Sequence, residues 1–164
     1  VLLTVFSDTG PLNYLILTGY QHCLPVLFDS IRIPPAVWQE LSHPKTSAAV
    51  REFIATTPAW LKVESNSEPA AVPSLFRSLD LGEQQVLLLA QRHQPCLILM
   101  DDRAAVRVAE GLQLPVAGTL SILYRAAQAK LLHLEEAFDR LSQTKFRYLS
   151  AIARELIRQF NSTD

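Results

Sequence analysis

The chain has 164 residues, room for one domain of ordinary size, and its 49% hydrophobic content excludes a disordered chain and is enough for a sizeable core. Charged residues make up 19% and the formal net charge is −1, so nothing attracts polyanions globally. The positive charge is carried by 11 Arg against 4 Lys, a composition suited to phosphate contacts wherever a local basic patch forms.

Short apolar, strand-like runs predict strands at residues 2–6, 31–33, 60–63, 96–100 and 114–116. Between them, helix-period segments predict two short helices within 11–28, then helices at 35–41, 47–55, 82–92, 103–112 and 120–131. The polar stretch 65–69 reads as a loop. A helical tail follows at 134–141 and 149–160. Its second helix is amphipathic, with Leu149, Ile152, Ala153, Leu156, Ile157 and Phe160 on one face. Strands alternating with helices imply an α/β fold, with a parallel sheet covered by helices on both faces. Uniformly apolar runs such as Cys-Leu-Ile-Leu-Met fit strands buried on both sides. The division expected is a domain over 1–133 and a helical extension over 134–164, packed on that domain or on a partner. No apolar run is long enough to span a membrane. The apolar start, 1–6, is too short for a signal peptide and lacks a basic flank, so a cytoplasmic location is expected. Cys23 and Cys96 form no short-spaced pair and read as buried small hydrophobes.

The acids have a pattern of their own. Asp8 follows the first predicted strand, Asp101 and Asp102 follow the fourth, and Gly118 and Thr119 follow the fifth. In a parallel sheet these positions share the carboxy-terminal edge, where open α/β sheets bind ligands. Glu40 lies three and four residues after Val37 and Ala36, on the core-facing side of its helix. Glu83 precedes Val86, Leu87 and Ala90 by three, four and seven, also on an apolar stripe. A carboxylate on a buried stripe is costly unless it is paired or bound to a cation. Two carboxylates about 5 Å apart repel by roughly 3 kcal/mol at an effective dielectric of about 20. An all-oxygen cluster therefore favours Mg²⁺ or Mn²⁺ over zinc. Helix capping is the competing account. Asp8 could cap the helix near Pro11, Asp101 or Asp102 the helix starting at Arg103, and Asp80 with Glu83 has capping-box spacing. Glu40 has the weakest such alternative, and capping does not explain convergence on one sheet edge.

Five ordered segments carry a family resemblance: Ser-Asp-Thr-Gly-Pro-Leu (7–12), Ile-Pro-Pro-Ala-Val-Trp-Gln-Glu-Leu (33–41), Leu-Gly-Glu-Gln-Gln-Val-Leu-Leu-Leu-Ala (81–90), Leu-Met-Asp-Asp-Arg-Ala-Ala-Val-Arg-Val-Ala (99–109) and Val-Ala-Gly-Thr-Leu-Ser-Ile-Leu (116–123). Together they resemble the PIN-domain nucleases, and more closely a bacterial and archaeal subfamily of unknown function. The resemblance implies a Rossmann-like α/β/α sandwich with a central parallel sheet of about five strands. It also implies three or four acids holding Mg²⁺ or Mn²⁺ for phosphodiester hydrolysis. By motif, Asp8 resembles the first family acid, Glu40 the second and Glu83 the third. The fourth is Asp101 or Asp102, with Asp102 preferred because Asp-Arg matches the usual dipeptide. Asp8, Asp101, Asp102 and Glu83 are the implied metal ligands; Asp8, Glu40, Glu83 and Asp102 form the implied catalytic set. Thr119 sits where the family often has a hydroxyl. Gly10 departs from the broader pattern, in which Ser or Thr is common two residues after the first acid.

Arg103 and Arg107, four apart on one helix face, are candidate substrate contacts together with Thr119; a solvated helix face accounts for the two arginines equally well. Arg125 and Lys130 are weaker candidates, and Arg140, Lys145, Arg147, Arg154 and Arg158 make the tail basic. The resemblance implies a metal-dependent ribonuclease, with toxins of toxin–antitoxin pairs among its relatives. RNA is then the expected substrate, with DNA kept open, and a small antitoxin or a second copy of the chain is a candidate partner. The alternatives are a non-catalytic PIN-like binding module and a structure-specific DNA nuclease. No nucleophile elbow, phosphate-binding glycine loop or zinc-protease motif occurs, and the four histidines lack ligand spacing. Asp8-Thr9-Gly10 lacks the companion Asp that a phosphatase nucleophile of this type requires.

Overall fold

The computed structural model describes residues 3–65, 71–148 and 150–163. Five parallel strands, β1 (Thr4–Ser7), β2 (Ile31–Ile33), β3 (Leu61–Val63), β4 (Cys96–Leu99) and β5 (Val116–Ala117), form one sheet in the order β3-β2-β1-β4-β5. Nine α-helices surround it among the described residues, giving three α/β layers: α1 (Thr9–Thr18), α2 (Cys23–Phe28), α3 (Pro35–Leu41), α4 (Ala48–Thr56), α5 (Leu81–Arg92), α6 (Arg103–Gly111), α7 (Thr119–Gln128), α8 (Leu134–Ser142) and α9 (Ser150–Asn161). β4 is buried along its whole length, as its unbroken apolar run requires. Leu12, Leu15, Ile33, Leu87 and Ile98 join it in one continuous core.

The strand order reverses at β1. Its neighbours are β2 on one side and β4 on the other, and Ser7 lies in register with Leu99. The gap between the carboxy ends of β1 and β4 is therefore the topological switch point, where an open α/β sheet leaves a crevice. Asp8 stands at one lip of it and Asp101 and Asp102 at the other.

Departures from the expected elements have local causes. β5 begins two residues later than its apolar run, because Pro115 has no N–H to give the ladder; its carbonyl instead accepts from Ile98 at 2.9 Å. α7 ends at Gln128 instead of continuing to Leu131, closed by Lys130 in the left-handed region at φ 60°. α1 starts two residues ahead of Pro11. A single 3-10 turn, Ser74–Phe76, had no periodic signal; it buries Phe76. Leu2, most of the loop expected at 65–69, and Leu149 lie outside the described residues. The amphipathic face of α9 buries Ala153 and partly buries Leu156, Ile157 and Phe160, and the helix lies against α7 and α8.

Candidate metal centre

Asp8 is held first by its backbone. Its N–H donates to the Leu99 carbonyl at 2.9 Å, which extends the β1–β4 ladder by one step and fixes the side chain at the switch point. It occupies the N-cap position of α1, yet its carboxylate makes no capping bond. The residue is only 7% exposed, and Oδ1 is buried with no hydrogen-bond partner among the described residues. Burial pushes its pKa up to about 7; Asp80, Glu83 and Glu40 add repulsion, against the opposing pull of the Thr9 backbone N–H.

Glu40 reaches the same region from α3. The Thr9 hydroxyl, one residue beyond Asp8, donates to Glu40 Oε2. α5 approaches α3 closely because residue 82 is glycine: a Cβ there would lie 2.8 Å from Glu40 Oε1 and 3.3 Å from Val37 Cγ2. Gln85 ties the same two helices by accepting the Ala36 N–H at 3.0 Å from a buried position. Burial raises the Glu40 pKa, opposed chiefly by the Thr9 hydroxyl.

Glu83 combines the two roles set against each other in the sequence. It completes a capping box at the start of α5, its N–H donating to Asp80 Oδ1 at 2.8 Å while its Oε2 accepts the Asp80 N–H at 3.0 Å. It is also 7% exposed, and burial lifts its pKa to about 7, with Asp80, Asp102 and Glu40 adding repulsion. Asp80 is thus a fifth carboxylate facing Asp8, Glu40 and Glu83. Sequence reasoning had placed it only as a cap.

The adjacent aspartates diverge. Asp102 caps α6, accepting the Ala105 N–H at 3.0 Å, and its charge reaches Glu83. Asp101 turns to the start of α7, where Oδ1 accepts the Thr119 N–H at 2.7 Å and Oδ2 the Thr119 hydroxyl at 2.6 Å. Burial raises the Asp101 pKa against both of these bonds. Two glycines make room for this carboxylate: a Cβ at Gly118 would lie 2.9 Å from Oδ1, and one at Gly10 would lie 3.3 Å from Oδ2. The Gly10 departure therefore has a steric reason, and the hydroxyl at this turn comes from Thr9. Thr119, expected to meet substrate, is fully buried with its hydroxyl committed to Asp101, so it positions that carboxylate instead. Arg103 and Arg107 are exposed on α6 and have no ion-pair partner among the described residues.

Asp8, Glu40, Asp80, Glu83 and Asp102 thus form one electrostatic group at the switch point, with Asp101 beside it on Thr119. Among the described residues, no three His, Cys, Asp or Glu side chains converge as a ready ligand set for one ion. The donor chemistry nevertheless fits a hard divalent cation: the group is all oxygen and mutually repelling, Asp8 and Glu83 in it are buried, and Asp8 has an unpartnered oxygen.

A PIN-domain family profile matches residues 4–162. The chain belongs to the PIN-domain family. No curated protein matches it. PIN domains are generally nucleases and typically use divalent metals. Within the acid group, Asp8, Glu40, Asp80 and Glu83 are the members whose charges bear most directly on one another.

Proposed function

We propose that this PIN domain is a metal-dependent ribonuclease that hydrolyses phosphodiester bonds of RNA. The observation that carries the reading is the buried Asp8 carboxylate at the switch point, with Oδ1 unpartnered, further acids around it and no ion-pair partner among the described residues. Asp8, Glu83 and Asp102 would hold Mg²⁺ or Mn²⁺, with Asp101 adjacent. A bound divalent ion supplies an acidified water and neutralises charge on phosphate. The remaining work falls to the chain. Thr9 fixes Glu40, and the Asp80 N–H fixes Glu83 Oε2, so that Glu83 Oε1 would face the ion or a water beside it. Arg103 and Arg107 supply positive charge for the phosphate chain. In a cell, the activity would be that of a toxin held by a small antitoxin protein, with the chain acting as a homodimer.

The test is cleavage of single-stranded RNA and single-stranded DNA with Mn²⁺, with chelator, and by Asp8→Asn. RNA cleavage that needs Mn²⁺ and is lost in Asp8→Asn supports the proposal. RNA binding without cleavage, indifferent to chelator and to Asp8→Asn, overturns it in favour of a binding module; cleavage of DNA alone moves the substrate class. Growth arrest on expression, relieved by a co-expressed neighbouring small protein, tests the toxin reading.

A further inference from the structure

The acid group repels a phosphate chain, so a nucleic-acid strand reaches it only where nearby cations and stacking surfaces hold its flanks. Such a surface borders the site. Gly10 on α1 faces Asp101, and Tyr14 lies one turn further along the same helix face. The Tyr14 ring meets Phe146 edge-on at 4.9 Å, and Phe146 in turn lies 5.7 Å from Tyr148, giving a row of three aromatic rings that starts one helical turn from Gly10. All three are half-buried, so they are fixed in place while part of each ring remains at the surface. Residues 145–148 read Lys-Phe-Arg-Tyr, so the two cations alternate with the two aromatics along the chain. Both cations are exposed and have no ion-pair partner among the described residues. The segment is built: the Phe146 N–H donates to Thr144 Oγ1 at 3.1 Å, and the Thr144 hydroxyl donates back to Leu141. The Tyr14 hydroxyl lies within electrostatic reach of both the Asp101 carboxylate and the Arg147 guanidinium.

We propose that Tyr14 and residues 145–148 seat a single-stranded segment of the nucleic acid beside the acid group, with bases against the rings and phosphates on Lys145 and Arg147. This rests on the nuclease reading for its substrate class. Interleaved cations and aromatics bind single strands with little sequence preference, since every base offers a stacking face. The connection between α8 and α9 thereby acquires a role in substrate binding.

The test is fluorescence anisotropy of a labelled 12-nucleotide single-stranded RNA across a salt series, in the Asp8→Asn background with Mg²⁺ present. Adding Lys145→Ala with Arg147→Ala is expected to weaken binding about tenfold or more at low salt. It should also flatten the slope of log affinity against log salt by about 1.4, two contacts at about 0.7 each. Tyr14→Leu is expected to weaken binding by about fivefold or more with the slope unchanged, and Tyr14→Phe to retain binding. Circular dichroism confirms that each variant is folded. Affinity within twofold and an unchanged slope in the double variant overturns the proposal, as does an Asp8→Asn parent that binds no RNA. Metal-dependent cleavage by the wild type is scored separately. Cleavage with no effect of the tail substitutions defeats the seat and keeps the nuclease; tail-dependent binding without cleavage does the reverse.

Discussion

Replacing Asp8 with Asn should stabilise the metal-free protein at pH 8 while removing its metal affinity. Asp8 has a folded-state pKa of about 7 against an ordinary value of 3.8. A carboxyl raised in the folded state holds its proton more tightly there than in the unfolded chain. Its destabilising contribution is therefore absent below about pH 4, grows as pH rises towards 7, and levels off above that. The gap corresponds to about 4 kcal/mol once the group is ionised in both states, and to about 2–3 kcal/mol of change between pH 5 and pH 8. In a chain of this size each kcal/mol moves Tm by about 2–4 °C. Glu83, also raised to about 7, titrates in the same window, and losing the Asp8 charge relieves it too, an effect of the same sign. Asn brings a cost of its own, about 1–3 kcal/mol for a buried amide short of partners, but that cost is independent of pH. The quantity to measure is thus the difference in Tm between Asp8→Asn and wild type in chelator, at pH 5 and at pH 8. It should shift by about 5–10 °C in favour of the variant at the higher pH. Adding Mn²⁺ at pH 8 should raise the wild-type Tm and leave the variant's unchanged. An offset equal at the two pH values would refute the reasoning, because the Asp8 carboxylate would then carry no uncompensated charge.

Asp80→Ala removes a capping-box side chain, which costs about 1 kcal/mol, but it also removes repulsion from Asp8, Glu40 and Glu83. Its destabilisation in urea should therefore be smaller at pH 8 than at pH 5. Thr119→Val deletes the hydroxyl that donates to Asp101 and should cost about 1–3 kcal/mol by chemical denaturation. Gly82→Ala places a Cβ 2.8 Å from Glu40 Oε1, so Mn²⁺ affinity measured by calorimetry should fall while circular dichroism stays native. Ile98→Ala, at a fully buried strand position, should cost about 2–5 kcal/mol without moving the acids.

The fold was legible because burial leaves a strong pattern. The all-apolar β4 and the alternation of short and long apolar runs are direct consequences of a sheet covered on both faces. That Asp8, Glu40 and Glu83 come within electrostatic reach of one another was legible for the same reason: strand ends and helix stripes place side chains by geometry alone. What escaped was anything settled by one bond or one missing atom. That Asp101 would turn to Thr119 while its neighbour Asp102 capped α6 depends on the small residues at 10 and 118, and no periodicity encodes that choice. The approach of α5 to α3 rests on Gly82 and on the Gln85 bond to Ala36, two positions that read as ordinary helix residues. The row of rings from Tyr14 to Tyr148 joins residues more than 130 positions apart and has no local signature.

Capping and clustering, rivals at the level of sequence, prove to be one device. Helices α1, α5, α6 and α7 all begin near the carboxy edge of the sheet, and each presents unpaired N–H groups there. Asp80 and Glu83 satisfy those of α5, Asp102 those of α6, and Asp101 receives the first N–H of α7. These bonds and the positive helix ends hold acids in place that would otherwise repel one another apart. α1 is the exception: the Asp8 carboxylate at its start makes no capping bond, and of the helix's N–H groups only that of Thr9 acts on it. The fold thus spends most of its edge acids on helix starts and withholds one. The withheld carboxylate is the one with an unpartnered oxygen and a pKa lifted to about 7, and therefore the one with most to gain from a cation.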